Sequence, residues 1–132
     1  MTSNGEGART IFLIEEDDET RPLLTRNLRS YGYRLIVALD EDDALDRAGY
    51  GIRQADLILV NLVGRPVEEV LEVGRRVREH AKYDGHTPLV VMPEKYAKDV
   101  EGTEVNVGSN DWVFYLGEES DQLRKLLSRL LP

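Results

Sequence analysis

The sequence predicts an α/β fold: a doubly wound, five-stranded parallel sheet of (βα)5 type in a three-layer α/β/α arrangement. The first observation is the uninterrupted apolar run at residues 57–60, between Asp56 and Asn61. Such a run is typical of a strand buried on both faces at the centre of a parallel sheet. The second observation is that other short apolar runs alternate with helical patterns, which favours right-handed crossovers and helices on both faces.

The N-terminal part of the chain contains two strand–helix units. Residues 11–14 form a buried-type strand that ends in the acidic run at residues 15–19, and the helix that follows ends at Gly32. Residues 35–38 form the next strand, and Asp40 can cap a short helix after it. These two units precede the central strand.

The C-terminal part continues the alternation. Pro66 begins a longer helix with one apolar stripe, and residues 89–92 and 112–115 form the fourth and fifth strands. The last helix has apolar residues at i, i+3, i+4, i+7 and i+8. They are Leu123, Leu126, Leu127, Leu130 and Leu131. We expect one edge of this wide stripe to remain exposed.

Residues 94–110, where a fourth helix belongs, fit no helical stripe. We expect a short or irregular helix there and the most mobile part of the fold. The residues that break the pattern are Gly102, Thr103, Asn106 and Gly108.

Composition limits the classes of function. A chain of 132 residues predicts one domain, which we place at residues 10–132 after a disordered tail at residues 1–9. The absence of cysteine excludes disulfides and thiolate chemistry, and the net charge of -8 argues against nucleic-acid binding. The apolar runs are too short to span a membrane. We therefore expect a soluble cytoplasmic protein that stands alone, with no unit after the last helix.

Several motifs stand together in an order and spacing found in one known family. They are Ile14-Glu15-Glu16 after the first strand, Arg21 with Leu23-Leu24 in the first helix, the central strand at 56–62, the fourth strand at 87–92 and the fifth at 108–115. In this order they resemble the receiver (CheY-like) domain of two-component response regulators, a flavodoxin-like fold. The resemblance covers residues 10–131, nearly the whole chain.

The resemblance also implies which positions carry the family's phosphotransfer chemistry. Asn61 stands where the family has its phosphoacceptor Asp, and Glu15 and Glu16 stand at the acidic pair that holds Mg²⁺. Pro93 replaces the Ser or Thr after the fourth strand, and Tyr115 replaces the Lys after the fifth. The chain is therefore similar to a degenerate receiver, or pseudo-receiver.

Elementary chemistry indicates that these replacements remove phosphotransfer. Asn61 has no anionic oxygen for attack, Pro93 offers a phosphoryl group neither hydroxyl nor N–H, and Tyr115 supplies no cation. Glu15 and Glu16 are one methylene longer than Asp, and Mg²⁺ requires near-octahedral geometry. We expect Mg²⁺ binding to be weak or absent, with Glu16 and Asn61 as weak candidate ligands, and we expect no enzymatic activity.

Trp112 falls where the resemblance implies an aromatic residue that changes rotamer on activation. An aromatic residue on a strand is equally consistent with static packing against a helix. The sequence leaves both roles open.

Our preferred hypothesis is a stand-alone pseudo-receiver that signals by phosphorylation-independent binding to a protein partner, or to a second copy of itself. The resemblance implies that the interacting face comprises the fourth helix, the fifth strand and the fifth helix. One alternative is an active receiver in a phosphorelay that is phosphorylated on another acid, such as Asp17 or Asp56. Less favoured is a small-ligand-binding protein, because the acidic loop at residues 15–19 would repel phosphate.

Overall fold

The computed structural model describes residues 8–49, 54–83, 86–117 and 121–131. A sheet runs through this part of the chain in the order β2-β1-β3-β4-β6-β5, with helices on both faces. The strands are β1 (Thr10–Glu15), β2 (Arg34–Ala38), β3 (Leu57–Asn61), β4 (Leu89–Val91), β5 (Glu104–Asn106) and β6 (Asp111–Phe114). The α-helices are α1 (Thr20–Ser30), α2 (Glu41–Gly49), α3 (Val67–His80) and α4 (Asp121–Leu130). The predicted doubly wound α/β fold is confirmed.

Alternate residues of the parallel strands face opposite layers of the core. In β1, Phe12 and Ile14 belong to the apolar cluster beneath α2 and α3, whereas Ile11 and Leu13 belong to the cluster beneath α1 and α4. Helix α3 lies very close to the sheet, since a Cβ added at Gly74 would come within 2.4 Å of Leu89 Cδ1. Any larger residue at position 74 would therefore force the buried Leu89 side chain to move.

The structure differs from the sequence prediction at residues 94–110. The 3₁₀ helix at Lys98–Val100 agrees with the expected short or irregular helix, but the strand β5 that follows it was not predicted. Gly102 makes the turn between them with φ of +80°, and β5 then pairs antiparallel with β6. The alternation of β-branched Val105 and Val107 with polar residues favours a strand. The sheet is therefore five parallel strands extended by an antiparallel edge strand.

The expected exposed apolar edge on the last helix is wrong. Leu123, Leu126 and Leu127 are buried in the cluster that α4 shares with α1. Leu130 and Leu131 are half-buried against the same cluster. The stripe is wide because α4 covers both the sheet and part of the neighbouring helix.

The predicted N-terminal tail extends too far. Arg9 already belongs to the fold, because its carbonyl oxygen accepts a hydrogen bond from Arg34 N–H at 2.9 Å. The rest of that prediction, at residues 1–7, lies outside the described residues, as does Pro132. Among the helices that are described, none has the length and apolar character to cross a membrane.

A buried carboxylate joins α3 to the start of β6. Asp111 is 4% exposed, and its oxygens accept hydrogen bonds from Arg75 Nε at 2.8 Å and Arg78 Nη1 at 2.9 Å. Arg78 Nη1 also donates to the carbonyl oxygen of Thr87 at 3.1 Å. Burial alone would raise the pKa of Asp111, but the two guanidinium groups outweigh it and lower the pKa below 3.8.

Substitution of the two arginines should cost unequal stability. The Arg78 side chain is 16% exposed and has two acceptors, so Arg78→Ala should lower the free energy of unfolding by about 2–3 kcal/mol. Arg75 is 43% exposed, so Arg75→Ala should cost less than about 1 kcal/mol. Urea denaturation at pH 7 measures both. The Asp111 contribution is present above its unfolded-state pKa of 3.8, so the effect of Arg78→Ala should shrink as pH falls through the lower folded-state value. Equal losses for the two variants would contradict this assignment.

Candidate functional site

The predicted site residues lie together at the carboxyl ends of the parallel strands, and this row of strand ends is the edge of the sheet meant in this subsection. Glu15 ends β1 and Asn61 ends β3, and the two residues are register partners. Pro93 follows β4, and Tyr115 directly follows β6. The residues form two groups: Glu15 and Asn61 contact each other, whereas Pro93 and Tyr115 line a neighbouring cleft.

The pair formed by Glu15 and Asn61 occupies the centre of this edge. Asn61 Nδ2 lies 3.0 Å from Glu15 Oε1 and 3.0 Å from Oε2, so the amide donates to the carboxylate. The backbone N–H of Asp17 also donates to Oε2 at 3.1 Å. Glu15 is 0% exposed, and this burial raises its pKa above 4.5 even though both hydrogen bonds act in the opposite direction. Among the described residues, the donors to this carboxylate are thus the Asn61 amide and the Asp17 N–H, neither of which is a cation.

Glu16 is directed away from that pair. Its Oε1 accepts a hydrogen bond from the N–H of Val63, at 2.8 Å, in the loop between β3 and α3. The next N–H of this loop, from Gly64, donates to Glu94 Oε1 at 3.3 Å. Two carboxylates therefore occupy amides that could otherwise face an anion at the end of β3.

These residues do not fit the Mg²⁺ ion that the resemblance implies. Mg²⁺ requires oxygen ligands at about 2.0–2.1 Å. Asn61 presents its NH₂ group to Glu15, and Glu16 is bonded to the loop backbone. No group of three or more His, Cys, Asp or Glu side chains within the described ranges is arranged to hold a metal. Glu16 is thus engaged elsewhere, and Asn61 faces Glu15 with its NH₂ group, which cannot bind a cation.

Pro93 and Tyr115 lie on a cleft of about 630 Å³ beside the pair. Tyr115 packs against Tyr96 with ring centroids 5.4 Å apart, and the Tyr96 hydroxyl donates to the carbonyl oxygen of Leu116. The Tyr115 N–H donates at 2.9 Å to the carbonyl oxygen of Thr103, the residue that precedes β5. Tyr115, at the position where the resemblance implies a Lys, is therefore part of an aromatic pair.

Two residues of this edge, Glu94 and Tyr96, were missed by the sequence analysis. They follow Pro93 at the carboxyl end of β4, where functional side chains of parallel sheets concentrate. That position was the available signal, but the irregular pattern of residues 94–110 obscured it.

Trp112 lies on the opposite face of β6 from this cleft. Its half-buried ring packs against the cluster beneath α1 and α4. Its Nε1 is buried and has no hydrogen-bond partner in the described part of the chain. This is the environment of a packing residue, and a rotamer change on activation stays a prediction.

Asn61→Asp should destabilise the fold at neutral pH. The change replaces the donor with a second carboxylate next to buried Glu15, at an expected cost of about 2–4 kcal/mol. The matched control is the exchange Glu15→Gln with Asn61→Asp, which restores one donor facing one carboxylate and leaves an oxygen for Asp17 N–H. Chemical denaturation at pH 7 should show recovery of most of the loss. Additive losses would mean that the pairing does not matter.

The raised pKa of Glu15 predicts a particular pH dependence. Between 4.5 and its raised value, the folded state binds the proton more tightly than the unfolded state, so Glu15 adds stability as pH falls through this window. Relative to Glu15→Gln, wild type should gain stability from pH 8 towards pH 4.5. Glu16→Gln leaves Glu15 in place and should retain the slope. Parallel profiles for wild type and Glu15→Gln would contradict the prediction.

The architecture around this edge is similar to known structures. No protein-family model matches the chain. A response regulator receiver protein from Sinorhizobium medicae superposes with a TM-score of 0.70 at 20% identity, covering 94% of this chain and 94% of that one. The chemotaxis protein CheY4 of Vibrio cholerae gives 0.68 at 20% identity, covering 93% and 98%. Thermotoga maritima TrrA, solved with Mg²⁺-BeF, gives 0.64 at 18% identity, covering 92% and 98%.

A curated relative extends the comparison to sequence. The uncharacterized transcriptional regulatory protein YkoG of Bacillus subtilis is 27% identical over 123 residues, covering 91% of this chain and 48% of that protein. The chain thus spans about half the length of this relative. Together with the sheet order and the position of the site, the comparisons show that this protein has the flavodoxin-like fold of CheY-like response regulator receiver domains.

Proposed function

We propose that this protein is a pseudo-receiver of two-component signal transduction that accepts no phosphoryl group and acts by binding a protein partner. The observation that carries the proposal is the pair of hydrogen bonds from Asn61 Nδ2 to both carboxylate oxygens of Glu15. The residue at the phosphoacceptor position is an amide that is already engaged as a donor. A conformational response would then depend on a partner that favours one state of the protein.

The surroundings of Asn61 support this proposal. Attack on a phosphoryl group needs an anionic oxygen and positive charge near the transferred oxygens. Pro93 supplies no donor, and the Tyr115 ring packs against Tyr96. Glu16 and Glu94 place carboxylates on the loop amides after β3, where they would repel a phosphoryl group.

The alternative phosphoacceptors differ in position. Asp56 lies at the amino end of β3, on the side of the sheet opposite the predicted site. There it accepts a hydrogen bond from Thr10 N–H at 2.7 Å. Asp17 lies beside the Glu15 pair and accepts a hydrogen bond from Thr20 Oγ1 at 2.5 Å, which lowers its pKa. Asp17 is therefore the acceptor that an active receiver of non-standard chemistry would use.

The interacting face must be redefined, because residues 94–110 contain no fourth α-helix. We assign the partner-binding surface to β5, β6 and the 3₁₀ turn Lys98–Val100. Val105 and Val107 are 47% and 42% exposed there, on a sheet end that no helix of the described residues covers. We further propose that the protein is cytoplasmic and contacts no nucleic acid directly, in line with its net charge of -8. The proposal applies to this chain both as a protein that acts alone and as one domain of a longer regulator like YkoG.

Incubation with acetyl phosphate and Mg²⁺, followed by intact-mass measurement, tests the central claim. Wild type and Asn61→Asp should both gain no phosphoryl group, because Pro93 and Tyr115 still deprive the transferred oxygens of a hydroxyl and a cation. The positive control also shortens the acidic pair: the variant Glu15→Asp, Glu16→Asp, Asn61→Asp, Pro93→Thr, Tyr115→Lys should be labelled. Labelling of wild type at Asp17 would support the alternative, and strong labelling of Asn61→Asp alone would show that the other two positions matter little.

A further inference from the structure

We propose that the edge strand β5 pairs antiparallel with β5 of a second copy of this chain, so that two sheets join about a two-fold axis at Val105. This inference deepens the proposed function and rests on it in one respect, since it names a partner for the same surface. It would hold whether or not the pocket accepts a phosphoryl group. The inference depends on the direction of the β5 backbone groups, on the exposed valines and on the position of the charged Glu104 in the strand.

The direction of the β5 backbone groups follows from its pairing with β6. Tyr115 N–H donates to Thr103 O at 2.9 Å, and Val107 N–H donates to Asp111 O at 2.8 Å. Antiparallel ladders alternate, so Val105, the register partner of Val113, also directs its N–H and C=O towards β6. The N–H and C=O groups of Glu104 and Asn106 therefore point outward. Within the described chain, β5 ends the strand order and no strand pairs with its outer edge.

The protection of this edge against pairing is limited to its three-residue length and the charge of Glu104. Natural edge strands are commonly blocked by Lys, Pro, a bulge or a covering helix. Residues 103–108 read Thr-Glu-Val-Asn-Val-Gly, with neither Lys nor Pro. Val105 and Val107 are β-branched and about half exposed on the face that a fourth helix would cover. The edge is therefore available as a template for another strand.

The sequence of β5 is self-complementary in the register that has its axis at Val105. With the axis at Val105, Glu104 of each copy lies opposite Asn106 of the other, and these two outward-facing pairs exchange four main-chain hydrogen bonds. The two Val105 side chains then meet at a non-hydrogen-bonded position, where Cα atoms are about 4.5 Å apart. An axis at Glu104 would instead oppose two carboxylates, which is unfavourable. Glu104 also keeps its ion pair with Arg129 of α4.

The pairing should be weak, because three-residue strands bury a small area. Interfaces below about 1,200 Å² are typical of transient complexes. The charge of -8 on each copy opposes association, so moderate salt should strengthen it. A covalent trap is therefore the sharpest test, and the chain suits one because it contains no cysteine.

Cysteine substitution distinguishes this register from random collision. Val105→Cys places two thiols at the axis, about 4.5 Å apart between Cα atoms, within the range that a disulfide spans. Val107→Cys is the matched control: it has similar exposure, but its two Cα atoms would be roughly 14 Å apart. Under mild oxidation, Val105→Cys should form covalent dimers at least about tenfold faster than Val107→Cys. Equal rates, or no dimer from Val105→Cys, would overturn the proposal.

Sedimentation without a cross-link provides the second measurement. Between about 10 µM and 1 mM, wild type should show a growing dimer fraction. Val105→Lys places two cations at the axis and should abolish it, whereas Val107→Lys should not, with both folded by circular dichroism. A wild type that stays monomeric throughout overturns the proposal and leaves the surface to another protein. Failure of the proposed function would appear in the phosphoryl mass assay, so the two outcomes are separable.

Discussion

The buried carboxylate of Glu15 is the constraint on which the character of this site depends. A fully buried ion loses several kcal/mol of solvation, and a hydrogen bond to a charged group returns about 1.5–3 kcal/mol. The bonds from Asn61 and Asp17 are thus of the right size to offset much of that loss without removing it. The raised pKa of Glu15 is the consequence. An Asp at position 61 would require a cation at the same point, whereas an amide removes that requirement.

The shape of the site at the carboxyl ends of the strands also depends on the connection between β4 and β6. Because residues 94–110 turn at Gly102 and return as β5, Tyr115 is flanked by a strand where the prediction had a helix. The Tyr96 ring and the Leu116 carbonyl then hold this turn against the end of β6. The cleft beside Pro93 and the bare face at Val105 are two results of this one rearrangement.

Strands and helices were predictable where the sequence has an uninterrupted apolar run or a helix-capping residue. Residues 57–60 became β3, and Pro66 marked the start of α3, because uninterrupted apolar runs and helix caps are local signals. Three-residue β5 could not be predicted with the same ease, since its stability comes from pairing with β6 and its own pattern is only one valine alternation long. Exposure of the α4 leucines was misjudged because the width of a stripe does not reveal how many elements cover it.

The sequence predicted which residues form the site, but it did not predict which of them contact each other. Position in the strands placed Glu15, Asn61, Pro93 and Tyr115 at one edge, but sequence cannot show that an amide 46 residues away is turned towards Glu15. Because of that orientation, the uncharged Asn61 side chain acts as a hydrogen-bond donor to Glu15. The proposals on the pocket and on β5 therefore have a common structural basis: in the described residues, the Asn61–Glu15 hydrogen bonds lie at the carboxyl end of the sheet, and no strand pairs with the outer side of β5. A binding equilibrium at that edge needs no chemical step, so its control would lie in the concentration of partner.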